Sequence, residues 1–129
     1  LMQLQSQINP HFLYNSFYLI RIMAKNESYE QIIPFVTSLA KYYRFLNKET
    51  EQNIPLLREA EHMENYIEIQ QMRFGDKITV DRGELPQEAS DFVVPKLILQ
   101  PVVENAYNYG VKNMLEGGKI RIRYELDGK

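Results

Sequence analysis

Two amphipathic stretches joined only by Lys25-Asn26-Glu27 constrain the fold more than any other feature of this chain. In the first, Leu1, Leu4, Ile8, His11, Asn15, Tyr18 and Ile22 recur at three- and four-residue spacing, which predicts a helix with one stripe to about residue 25. Pro10 interrupts it. Either Asn9 caps a new helix with Pro10 at its first position, or one helix is kinked there; the kinked helix is the expectation. In the second stretch, Ser28-Tyr29-Glu30-Gln31 is a capping-box pattern, and Ile32, Phe35, Val36, Leu39, Tyr43 and Leu46 continue the helical period to near Asn47. So short a link predicts an antiparallel helical hairpin, and two helices alone cannot bury both apolar faces. A symmetric pair of hairpins closed into a four-helix bundle removes that difficulty, so a homodimer is expected.

After a polar segment at Lys48–Asn53 the pattern changes. Pro55 is expected to open a third helix to about Phe74, with Ala60, Met63, Ile67 and Phe74 on one face and Gly75 past its end. Ile78 and Val80 then alternate with polar residues as a strand, and Arg82–Ser90 reads as loop. Pro95 is expected to start a fourth helix to about Tyr109, followed by Gly110. Gly117-Gly118 reads as a turn. Ile120, Ile122, Tyr124 and Leu126 form a final alternating strand for which the sequence offers no partner, which suggests a fragment. The fold class is therefore α+β: a helical hairpin over residues 1–50, then the beginning of an α/β unit over residues 51–129.

Composition removes several function classes. There is no cysteine, so disulfide scaffolds, thiolate metal sites and thiol nucleophiles are excluded. A net charge of −2 argues against a nucleic-acid partner. The N-terminal residues do not read as a signal peptide, and no apolar run approaches the ~20 residues that cross a bilayer.

Two segments carry candidate chemistry. His11 lies in Gln7-Ile8-Asn9-Pro10-His11-Phe12-Leu13-Tyr14-Asn15-Ser16. A neutral imidazole can attack phosphorus, and Asn15 lies one turn along, about 40° around the helix. Taken alone, His11 is better explained as a hydrogen-bonded histidine on a bundle seam. The second segment is Pro95-Lys96-Leu97-Ile98-Leu99-Gln100-Pro101-Val102-Val103-Glu104-Asn105-Ala106-Tyr107-Asn108-Tyr109-Gly110. Its wheel gathers Leu99, Val102, Val103, Ala106 and Tyr107 on one side, and Pro101, Glu104, Asn105, Asn108 and Lys112 on the other. Asn105 falls at the border, where an amide oxygen can meet a metal-bound phosphate. Read alone, this is better explained as a polar solvent face. His62, among Glu61, Glu64 and Asn65, reads as solvated surface rather than a metal ligand, and Arg121 and Arg123 read as a solvated strand face.

Together these segments resemble the LytS/YesM type of bacterial sensor histidine kinase. The segment around His11 looks like that family's phosphoacceptor box, and residues 95–106 resemble its N-box. Between them, Tyr43-Arg44-Phe45, Pro55-Leu56-Leu57-Arg58-Glu59-Ala60-Glu61 and Tyr66-Ile67-Glu68-Ile69-Gln70-Gln71-Met72-Arg73-Phe74 resemble the family's intervening segments in order and spacing. The resemblance implies a dimeric hairpin (1–50) for dimerisation and phosphotransfer, and a truncated α/β sandwich of the GHKL ATPase type (51–129). His11 would accept the γ-phosphoryl of ATP and pass it to an Asp of a response-regulator receiver domain. Asn105 would bind Mg²⁺ on the nucleotide, with Asn108, Tyr109 and Lys112 in the nucleotide-binding segment. Asn15 would serve dephosphorylation, and Glu104 is the candidate base. The protein would be the cytoplasmic portion of a membrane-anchored sensor, its anchor upstream of Leu1.

Three departures qualify the resemblance. Where the family commonly has Asn-Ala-x-Lys-His-Gly, this chain has Asn108 and Tyr109 in place of Lys and His, which removes a cation facing phosphate. Phe12 follows His11 where other kinase families carry an acidic base. The family's glycine-rich boxes are expected beyond Lys129, so the fragment by itself is expected to bind ATP poorly or not at all. The alternative is a non-catalytic dimerisation and signalling module.

Overall fold

The computed structural model describes residues 10–48, 52–113 and 118–126, and the chain divides into two units, 1–49 and 50–129. Among the described residues the secondary structure is α+β, with four helices and two small sheets.

In the first unit, α1 (Pro10–Lys25) folds back onto α2 (Tyr29–Lys48). The described helix begins at Pro10; the choice between a cap at Asn9 and a kink involves residues outside those described. The reversal is made by backbone alone. Ser28 N–H donates to Met23 O at 2.8 Å and Glu27 N–H to Ala24 O at 3.1 Å, with Glu27 at φ 58°. That is the left-handed helix stop usually given to glycine, here carried by a glutamate. Tyr29 follows Ser28 as the first residue of α2. Pro34 lies inside α2, where it removes the N–H that would have bonded Glu30 O.

The seam between the two helices differs from the expected stripe. Phe12, Ser16 and Met23 are the buried residues of α1, while His11 is exposed and Tyr18 is 59% exposed. The intrachain contact thus runs about 100° around from His11, Asn15, Tyr18 and Ile22. On α2, Phe35, Leu39 and Leu46 are buried as expected, and Tyr42 is wholly enclosed, but Val36 faces out. Phe12 meets the Tyr42 ring at 4.8 Å, and Tyr42 meets Tyr43 edge-on at 4.9 Å, an aromatic cluster of favourable geometry.

In the second unit, β1 (Asn53–Pro55) leads into α3 (Leu56–Phe74), which ends at Gly75, at φ 59°. A 3₁₀ turn (Gly75–Lys77) connects to β2 (Ile78–Arg82). The loop beyond it contains a second 3₁₀ turn (Gln87–Ala89) and β3 (Val93–Pro95), which pairs antiparallel with β1. The fourth helix, α4, is Gln100–Asn113 rather than beginning at Pro95. Pro101 explains the difference: it fits the first turn of a helix starting at Gln100, but would interrupt the interior of one starting at Pro95. Pro95 instead ends β3, and Gly110 lies within α4.

The last strand, β4 (Gly118–Ile122), does have a partner. It pairs in parallel with β2, Ile78 opposite Gly118 and Arg82 opposite Ile122. A parallel pair needs a crossover, which the sequence between β2 and β4, α4 included, supplies. Gly83 permits the close approach at the end of this ladder. Its N–H donates to Ile122 O at 2.7 Å, and a Cβ there would lie 2.8 Å from the same oxygen. The core sits between α3 and α4. Tyr107, 1% exposed, meets Tyr66 edge-on at 5.9 Å and Phe74 stacked at 6.0 Å.

Candidate functional site

His11 stands in the first turn of α1 with its side chain exposed. Its neighbour Phe12 is 4% exposed and locked against Tyr42, so the backbone carrying His11 is anchored while the ring is open to approach. Ser16 Oγ donates to Phe12 O at 2.8 Å on the same buried seam. Asn15, one turn on from His11, is half-buried. Tyr14, Phe17 and Tyr18 on α1, and Tyr29, Ile33 and Val36 on α2, leave much apolar surface exposed on the hairpin.

The second group lies on α4. Asn105, Asn108 and Tyr109 are exposed, Glu104 is half-buried, and Lys112 falls in the helix's last turn. The inward stripe is Gln100, Val103 and Tyr107. Val102, expected inside, is 67% exposed and stands one turn before Asn105 on the outward face. An exposed amide oxygen is a hard donor with an open approach, which fits a Mg²⁺ ion held mostly by phosphate and water oxygens. Among the described residues there is no cluster of three or more His, Asp or Glu side chains able to hold a metal ion by themselves.

The segment before α4 is built on α3. Glu59, 1% exposed, accepts Leu97 N–H at 2.7 Å and Leu99 N–H at 3.3 Å. His62 is buried at 4% exposure, which corrects its reading as solvated surface. Its Nε2 meets Gln100 Oε1, and Gln100 Nε2 donates to Glu104 Oε1 at 3.2 Å. Burial lowers the His62 pKa to about 4, so the ring is neutral at ordinary pH. Arg121 is exposed as expected and lies 3.3 Å from Asp81, a surface ion pair of small energetic weight.

Sequence reasoning missed Glu59 and Gln100. A signal for Glu59 was present: it shares the i, i+4, i+7 row of α3 with Met63 and Tyr66, both buried. A carboxylate on such a row needs donors, and the backbone before α4 supplies them.

The histidine kinase family model matches residues 1–78. The chain is similar to the sensor histidine kinase BtsS of Escherichia coli, 33% identical over 126 residues, or 98% of this chain and 22% of that protein. It is 36% identical over 122 residues to the sensor histidine kinase YesM of Bacillus subtilis, covering 93% and 21% of the two. To the sensor protein LytS of Oceanobacillus iheyensis it is 35% identical over 120 residues, covering 92% and 20%. The chain thus spans about a fifth of the length of these curated relatives. Among the described residues, no helix is long and apolar enough to cross a membrane.

Proposed function

The chain belongs to the histidine kinase family, and on that premise we propose that it is the phosphoacceptor hairpin and first part of the GHKL-type ATP-binding domain of a two-component sensor kinase. His11 is the acceptor. One ring nitrogen takes the γ-phosphoryl of ATP and later gives it to an aspartate of a response-regulator receiver domain. Phosphoryl transfer depends on positioning and charge neutralisation more than on covalent help, which an exposed imidazole on an anchored helix allows. Asn105 would hold the Mg²⁺, which would neutralise nucleotide phosphate charge, and Asn108 and Tyr109 would meet phosphate from the same helix, with Lys112 in its last turn. Glu104 accepts the imidazole proton, and Asn15 orients water when phosphate is removed from His11.

The hairpin works as a homodimer, which covers the exposed Tyr14, Phe17, Tyr18, Tyr29, Ile33 and Val36 side chains in part. The unit is the cytoplasmic portion of a membrane-anchored sensor. The observation that carries the reading is the exposed ring of His11 beside the buried, aromatic-locked Phe12.

The test is to phosphorylate the intact kinase with γ-labelled ATP. Acid-labile label that disappears in His11→Ala is the expected result; label that survives that change contradicts the assignment. The replacement of a cation by Asn108 favours a second reading, a dimeric signalling module without ATP turnover, whose signature is no nucleotide binding by the intact, dimeric protein.

A further inference from the structure

Buried polar groups form a line from α3 into α4. His62 is 4% exposed and Gln100 5% exposed. The contact between His62 Nε2 and Gln100 Oε1 has only one sense, because a carboxamide oxygen only accepts. His62 is therefore the Nε2–H tautomer and donates. With its oxygen engaged, the Gln100 amide turns its NH₂ group along α4, where Nε2 donates to Glu104 Oε1 at 3.2 Å. Gln100 and Glu104 stand one helical turn apart, so the Gln100 amide holds one oxygen of Glu104 from the preceding turn of the same helix. Glu104 immediately precedes the exposed Asn105.

We infer that His62 and Gln100 are positioning residues that aim the Glu104 carboxylate, a role that rests on the reading of Glu104 as acceptor of the His11 imidazole proton. In that step one ring nitrogen of His11 forms the bond to the γ-phosphorus of ATP. The bond from that phosphorus to the bridging oxygen breaks, and its electron pair leaves with ADP. The proton on the other ring nitrogen passes to Glu104. An acceptor held less firmly meets that proton in fewer productive encounters, so disrupting the line slows the chemical step and leaves nucleotide binding on the Asn105 face unchanged. Positioned proton acceptors contribute about 10²–10⁴-fold to such steps, and misaiming one forfeits part of that.

The experiment uses the intact kinase carrying His62→Leu, His62→Gln, Gln100→Leu or Glu104→Gln, alone, and Gln100→Leu combined with Glu104→Gln. The autophosphorylation rate at saturating ATP and the ATP dissociation constant are measured for each. The expected result is a fall in rate of about tenfold or more in His62→Leu and Gln100→Leu, with ATP affinity within twofold of the parent. His62→Gln, which keeps a donor toward Gln100, recovers most of the rate. Gln100→Leu has no further effect once Glu104 is Gln, because the two act as one unit. The inference is overturned if ATP affinity falls in step with rate and His62→Gln is no better than His62→Leu, or if Gln100→Leu is as harmful in the Glu104→Gln background. A Glu104→Gln variant with full rate refutes the underlying reading of Glu104 itself; a slow Glu104→Gln beside an unimpaired Gln100→Leu refutes only the positioning.

Discussion

The Glu59 carboxylate accepts the backbone N–H of Leu97 at 2.7 Å, and Leu97 stands at φ 63°, a conformation that non-glycine residues rarely adopt. A side chain on α3 thus holds a left-handed residue just before the helix that carries Asn105. Lys96, beside it, has its pKa lowered by burial, against the opposing pull of Glu59. Removing the carboxylate leaves two inward-facing N–H donors, at Leu97 and Leu99, and releases the strain at Leu97. Glu59→Ala is expected to destabilise the second unit by about 2–5 kcal/mol, and Glu59→Gln by about half that. Denaturant unfolding checks this; a Glu59→Ala variant within about 0.5 kcal/mol of the parent contradicts it.

The hairpin turn yields a prediction of opposite sign. Glu27 is exposed and sits at φ 58° in the helix stop that ends α1. Glycine adopts that conformation without the Cβ clash, at some cost in unfolded-chain entropy. Glu27→Gly is expected to raise stability by about 0.5–1 kcal/mol, read as a higher thermal midpoint. A lower midpoint contradicts this account of the turn.

His62 gives the second unit a dependence on pH. Burial is the main cause of its lowered pKa, with a smaller contribution from Lys96, while the bond to Gln100 acts in the opposite direction. The unfolded chain titrates near 6.5 and the folded chain near about 4, so the unfolded state binds more protons between those values. The stabilisation is complete above pH ~6.5 and is lost as pH falls toward ~4. Between pH 7 and pH 5 the parent is expected to lose roughly 2 kcal/mol more than His62→Gln does. Equal losses in the two proteins contradict the buried, neutral ring.

Asn108 stands exposed one turn before Lys112 on the face proposed to meet phosphate. Asn108→Lys is expected to tighten nucleotide binding by the intact kinase several-fold, with the gain shrinking as salt rises, as for any exposed cation facing phosphate. An unchanged affinity at low salt contradicts the placement of phosphate there.

What the sequence disclosed and what it concealed follow the range of the interactions involved. The first three helices were legible because their period is local: Phe35, Leu39 and Leu46 announce a buried stripe, and Gly75 an end. The start of α4 was misplaced because Pro95 and Pro101 both suit a first turn, and only Pro101 as an interior misfit excludes the earlier start. β3 is three residues long and carries no period. The partner of β4 was hidden because parallel pairing is set by a crossover rather than by an adjacent turn. His62 was read as solvated from its charged neighbours, although it shares a row with Tyr66 and Ile69, both buried. At the candidate site the residue types in the two boxes were legible. The supports, Glu59 to Leu97 and His62 to Gln100, join residues 38 positions apart and left no mark in either box.

The most direct test of the account is where the phosphoryl group goes. The intact kinase, incubated with γ-labelled ATP and Mg²⁺, is digested and the labelled peptide located by mass spectrometry under neutral conditions. The account predicts one acid-labile, base-stable phosphate on the peptide containing His11, absent in His11→Ala and transferable to a receiver-domain aspartate. Acid-stable phosphate on a hydroxyl side chain, or label undiminished in His11→Ala, contradicts it.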